Sequence, residues 1–193
     1  MTLEANHTRL EPLRHAHIAD LSAVAFDPML WRWTPTQIHT LEDLDAYVRT
    51  AQREQAEGTA IPFAIVERAT GQAIGSTRLG HLALAHRRVE IGWTWLGRDD
   101  QRRAFNTQSK RLLLRYAFEH LGCIRVELRV DRLNGPSRAA IERLGAVEEA
   151  TLRQHMMLPS GRRVDWVYYS ILRDEWVDVE ARLKARLARH ARG

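Results

Sequence analysis

Three arginines, Arg98, Arg102 and Arg103, lie in a polar run between the strand-like segment Glu90-Ile91-Gly92-Trp93-Thr94-Trp95-Leu96 and a strongly helical stretch that opens at Thr107. A loop at a helix N-terminus offers unpaired backbone N–H groups and the positive end of the helix dipole. Guanidinium groups beside it make a place shaped for phosphate. An exposed basic loop with no ligand accounts for the same residues. Downstream, Asn134-Gly135-Pro136-Ser137 reads as a turn with a serine cap, opening a short helix. Glu90, on the strand leading to the basic loop, could take a proton from an incoming nucleophile, directly or through water. Its plain alternative is a surface carboxylate paired with Arg87 or Arg88.

The elements that must position these residues follow from hydrophobic periodicity. A first strand covers 8–14, an amphipathic helix 15–25, and a second helix, capped by Thr40, runs to about Glu57 before Gly58. Between them, Met29 to Thr36 carries Trp31 and Trp33 in a loop or short helix. Strands are expected over 61–67, 73–84 and 89–96, then a helix over 107–120 and a strand over 124–130. A short helix over 137–144 ends at Gly145, a hairpin turns at Pro159-Ser160-Gly161 into a strand over 165–172, and a last helix spans about 174–190. The order β-α-α-β-β-β-α-β-α-β-β-α is neither a doubly wound alternation nor an all-β pattern. It predicts a mixed α+β fold in one domain over residues 1–193.

Composition narrows the function classes. With 45% hydrophobic and 27% charged residues, the chain belongs with ordinary globular proteins, not disordered or fibrous ones. No run approaches the roughly 20 apolar residues of a membrane span, and the first residues lack a signal-peptide core. Cytoplasmic residence is the expectation, without a membrane partner. The single cysteine, Cys123, allows no internal disulfide and no cysteine metal cluster, and the nine histidines form no His-Glu-x-x-His motif, so no metal is expected. A net charge of +5 favours polyanions, yet no nucleic-acid recognition motif accompanies it.

At the basic loop the chain resembles the GNAT acetyltransferases. Their pyrophosphate loop, Gln/Arg-x-x-Gly-x-Gly/Ala, falls on Gln101, Ala104 and Asn106, with both glycine positions changed. The run Asn106-Thr107-x-x-Lys110 is similar to a RimJ/RimL-like branch, the ribosomal-protein N-terminal acetyltransferases, and Asn106 tolerates a left-handed backbone in place of glycine. The stretch from Asn134 through Ser137, Ala140 and Ile141 to Leu144-Gly145 is similar to the family segment that packs against pantetheine. The resemblance implies a GNAT fold with a mostly antiparallel seven-stranded sheet, and acetyl-CoA as co-substrate. It further implies that Trp95, Leu96, Arg102, Arg103, Ala104, Phe105, Asn106, Thr107, Lys110, Asn134, Ser137 and Ala140 hold that cofactor.

Acetyl transfer to an amine needs a base, carbonyl polarisation and a proton for the departing thiolate. Presenting a lysine-like amine neutral at pH 7 costs about 4.6 kcal/mol, against about 1.4 kcal/mol for an α-amine. Glu90 matches the family's catalytic glutamate, and main-chain groups near Trp95 and Leu96 are the expected carbonyl donors. Where many relatives carry a tyrosine acid this chain has Ile141, which leaves Ser137 as the substitute, with helix capping as its other reading. Trp31, Trp33 and His81 are the candidate acceptor contacts, with core or surface packing as their alternative. The acceptor implied is a protein N-terminal α-amine or a small-molecule amine. The competing class is a non-catalytic CoA-binding regulatory module. Monomer and homodimer stay open.

Overall fold

The computed structural model describes residues 1–190. Strand β3 (Ile61–Glu67) shows how the layers form: Phe63 and Ile65 enter one hydrophobic cluster while Ala64 and Val66 enter another. A strand with apolar residues at both parities must be covered on both faces. One face is covered by helices α1 (Ile18–Ala25) and α2 (Leu41–Ala56), whose Leu21, Leu44 and Val48 are fully buried. The other is covered by α3 (Ala104–Arg115), α4 (Gly135–Leu144) and α5 (Trp176–His190), through Leu113, Ile141 and Val179. The α2 start is the expected capping box, with Asp43 N–H donating to Thr40 Oγ1 (3.1 Å) and Thr40 N–H to Asp43 Oδ2 (3.0 Å).

The sheet has eight strands in the order β1-β2-β3-β4-β5-β6-β8-β7. The remaining strands are β1 (Leu3–Glu4), β2 (Thr8–Pro12), β4 (Ala73–Ala83), β5 (Arg88–Leu96), β6 (Arg125–Asp131), β7 (Val147–Met157) and β8 (Arg163–Leu172). Seven strands were expected; the eighth is β1, a two-residue edge piece whose Leu3 and Glu4 pair with Leu10 and Arg9. So short a strand carries no periodicity to read. Every adjacent pair is antiparallel except β5 and β6, which α3 joins as a crossover.

Helix α3 begins at Ala104, three residues before the expected Thr107, with Arg103 as its extended N-cap. The left-handed residue that turns the loop is Arg102 (φ 64°). Asn106, expected to do a glycine's work there, is an ordinary residue of the helix's first turn. Phe105 supplies the reason: its ring is 3% exposed within the core, and that burial draws the preceding residues into the helix. Gly145 (φ 97°) closes α4 as expected, in the conformation that glycine adopts without steric cost.

Candidate active site

Strands β5 and β6 pair only at Arg88–Arg125, Val89–Val126 and Glu90–Glu127. Beyond Glu90 they part, although β5 continues to Leu96 and β6 to Asp131. Backbone groups of Ile91–Leu96 that β4 does not take therefore have no strand to bond, and they line a gap that points at the start of α3. β5 also carries a bulge here. Ser76 pairs with Trp95 and Arg78 with Gly92, so one extra residue, Trp93, is accommodated at φ 50°. Such left-handed non-glycine residues are uncommon and each costs of order 1–3 kcal/mol; His81 (φ 48°), Trp93 and Arg102 all flank this region.

The gap ends on the basic loop. The N–H groups of the first turn of α3 have no side-chain cap and no acidic neighbour within that turn, which leaves the positive helix end available to an anion. Arg98 and Arg102 are exposed, and Arg103 reaches Asp100 (3.4 Å) and Glu67 (3.6 Å). A hollow of about 440 Å³ adjoins this turn, bounded by His7, Glu67, Arg68, Arg103 and Phe105. Across the gap, α4 opens with Asn134, whose Oδ1 accepts from the Ser137 N–H at 3.2 Å. Asn134, not Ser137, is thus the helix cap. The Ser137 hydroxyl has no hydrogen-bond partner among the described residues, and Ser137 and Ala140 are half-buried.

Lys110 lies two turns into α3, and its side chain does not join the loop. It is buried, with Nζ donating to Thr94 Oγ1 at 2.6 Å. Thr94 in turn lies 2.7 Å from the Thr77 hydroxyl and 3.3 Å from the Gly92 carbonyl. Burial drives the Lys110 ammonium down to about 7, against the opposing pull of the Glu90 carboxylate. Lys110, expected among the cofactor-binding residues, thus makes its hydrogen bond to the parted strand itself.

On the α1–α2 face, Glu90 is buried and bonded to His81 Nδ1 (2.8 Å) and to the Arg129 guanidinium. Burial pushes its carboxyl up, but hydrogen bonds and charges from His81 and Arg129 outweigh this and hold it below the usual range. Neither Arg87 nor Arg88, the sequence-based alternatives, is its partner; Arg88 turns to Glu127 and Arg87 to the Gly122 carbonyl. His81 Nδ1 also lies 2.7 Å from Arg129, so it can donate to Glu90 or accept from Arg129, not both at once. Gly80 lets the Trp93 ring lie flat on the strand, since a Cβ there would run into it, and the Arg78 guanidinium stacks 5.0 Å from that ring. Arg78 is 2% exposed, held between Trp93 and Tyr47 and paired with Glu54.

The sequence candidates divide accordingly. Trp31 is core: it is 2% exposed, donates Nε1 to the Ala25 carbonyl, and packs edge-on to Trp95 at 5.3 Å. It is not available to an acceptor. Trp33 is only half-buried and lies under the guanidinium of Arg162 at 5.3 Å, so the α1–α2 segment meets the β7–β8 turn there. Trp95, Leu96 and Phe105 commit their side chains to the core and leave only backbone to a cofactor. Cys123 is buried core, as expected. Thr77, Thr94, Arg78 and Arg129 were not singled out beforehand. The Glu90–Glu127 register puts Arg129, two residues on, on the same face as Glu90, a relation that exists only once the strands are paired. Among the described residues no three metal-ligating side chains gather, and no helix is long and apolar enough to cross a membrane.

A mixed sheet parted between its two parallel strands, with an uncapped helix start at the end of the gap, is an arrangement able to receive an anionic ligand. The sequence profile of the Acetyltransferase (GNAT) domain matches residues 7–147. The chain belongs to the GNAT acetyltransferase family. It is 36% identical over 106 residues to YdaF of Bacillus subtilis (strain 168), named as a candidate ribosomal N-acetyltransferase, and that match covers 55% of this chain and 57% of YdaF. A GCN5-related N-acetyltransferase from Brucella melitensis superposes with a TM-score of 0.89 at 29% identity, over 96% of this chain and 84% of its own. Mycobacterium smegmatis RimJ, solved with CoA-disulfide, shares the fold with a TM-score of 0.82 at 22% identity, over 96% of this chain and 93% of RimJ.

Proposed function

We propose that the protein is an acetyl-CoA-dependent N-acetyltransferase whose acceptor is a protein or peptide N-terminal α-amine, ahead of a small-molecule amine. The parting of β5 and β6 above the α3 N-terminus carries this reading. Arg102, Arg103 and the backbone of Ala104, Phe105, Asn106 and Thr107 would hold the pyrophosphate, with Asn134 and Ala140 beside the pantetheine arm. Backbone groups near Trp95 and Leu96 would polarise the thioester carbonyl. Acetyl-CoA supplies the activated acetyl group; the chain's task is to orient it, admit the amine and manage protons.

A carboxylate held low by His81 and Arg129 against its burial is a weak base, and this favours an α-amine, which costs about 1.4 kcal/mol to deprotonate at pH 7, over a lysine-like one. Glu90 and His81 together form the route by which the amine proton leaves, and Ser137, half-buried at the start of α4, is the sequence candidate for protonating the sulfur that Ser137→Ala tests. The kinship with YdaF supports a protein acceptor. The reading places the protein in the cytoplasm, acting without metal, nucleic acid or membrane, as a monomer or homodimer.

Calorimetric titration with acetyl-CoA and with CoA, followed by a screen of N-terminal peptides and small amines with thiol release as readout, tests this. Micromolar binding and turnover on peptides are expected, and Glu90→Gln should lower kcat/KM by about tenfold or more. A variant within about twofold of wild type across pH removes Glu90 from the mechanism. Binding without turnover on any amine would identify a CoA-binding regulatory module instead.

A further inference from the structure

Lys110 has one protein partner among the described residues, the neutral Thr94 hydroxyl, where an ammonium can donate three hydrogen bonds. It is also buried, and the chain contains only two lysines, Lys110 and Lys184. Thr94 lies on the part of β5 that has lost β6, one residue past the Trp93 bulge. Ile141 stands where the family resemblance places a tyrosine acid, and the Ser137 hydroxyl has no hydrogen-bond partner among the described residues.

Building on the acetyl-transfer reading, we propose that Lys110 is the proton source of the reaction, acting through the Thr94 hydroxyl on the departing sulfur. The amine nitrogen forms its bond to the carbonyl carbon, and the C–S bond breaks with its electron pair on sulfur. Sulfur takes the Thr94 hydroxyl proton, and the Thr94 oxygen takes one from Lys110, which becomes the neutral amine. The proton shed by the acceptor nitrogen leaves by Glu90 and His81 to solvent, and Lys110 regains its own from solvent as CoA departs. Burial holds the Lys110 ammonium near 7, close to the working pH, where proton transfer is effective in both directions.

The charged surroundings fit this role. Glu90 of β5 is the carboxylate whose field reaches Lys110, and it is closed off by His81 from β4 and Arg129 from β6. On α3 itself, Arg111 turns away to Glu180 of α5 at 2.7 Å. Arg9 of β2 and Glu67 of β3 are engaged with Glu11 and Arg103. Among the described residues, Glu90 is the charged group whose field acts on the Lys110 ammonium.

Lys110→Met should lower kcat by about 100-fold while the Kd for acetyl-CoA stays within about twofold. Because the protonated lysine is the active form, wild-type kcat should fall as pH rises through about 7, and the variant should lose that falling limb. Thr94→Val should reproduce both effects. Independently of turnover, the Lys110 side-chain NMR resonance, assigned with Lys184→Arg, should shift its titration when CoA is added. Unchanged kcat with the limb retained, a weakened acetyl-CoA Kd with normal kcat, or a Lys110 titration indifferent to bound CoA each overturns the proposal. A wild-type protein that binds no CoA strikes the acetyl-transfer reading itself.

Discussion

The two faces of the sheet treat buried charge in opposite ways. On the α1–α2 face, Arg78 lies between two aromatic rings and meets Glu54, while Glu90 meets both His81 and Arg129. On the α3 face, Lys110 has a single hydrogen-bond partner among the described residues, the neutral Thr94 hydroxyl. Removing charges from water costs several kcal/mol per ion, which a well-formed pair offsets and a single hydroxyl does not. The closed pairs leave no charge uncompensated when the sheet is covered. The open cation lowers stability, and its place beside the parted strands associates that cost with chemistry.

The contrast can be broken most forcefully at Glu54. Glu54→Ala leaves Arg78 unpaired in a dry site and should destabilise the protein by about 3 kcal/mol in urea unfolding; a change below about 0.5 kcal/mol would mean that the aromatic rings alone hold the guanidinium. Lys110→Met should act in the opposite direction, raising stability at pH 7 by about 2 kcal/mol. The sign follows from linkage. The unfolded chain keeps that proton up to about 10.5 and the folded one releases it near 7. Wild-type stability therefore climbs from pH 7 to 10.5 while the variant stays flat, so its advantage shrinks with rising pH. An advantage constant over that range would show that Lys110 does not titrate in the folded state. The smallest effect belongs to Asn134→Ala, which removes the α4 cap and should cost about 1 kcal/mol in thermal or urea unfolding. A similar loss from Ser137→Ala would return the capping role to Ser137.

Much of the frame was legible beforehand because it is local. The Thr40 capping box, the Gly145 stop, the alternation in β6 and the Trp176–Val179–Leu183 face of α5 are short-range patterns, and each of these elements lies where its pattern puts it. The basic loop and the Asn134–Ser137 turn were equally visible. Other features were hidden because they depend on which chain segments meet. Trp31 and Trp33 are two residues apart with the same side chain, yet one is core and the other is half-buried under Arg162. Asn106 looked like the left-handed position, but burial of Phe105 moved the helix start and left that conformation to Arg102.

The sequence by itself determined the elements, their order and the phosphate-shaped loop, since propensity, capping and hydrophobic period act over a few residues. Only the tertiary structure decided that β5 parts from β6 after Glu90, that Arg129 and His81 close on that carboxylate, and that Lys110 turns from the loop to Thr94. Strand register and the desolvation of a side chain are set by neighbours distant in the chain. The charge state of a buried group is set by the neighbours it acquires when the sheet and its helices assemble.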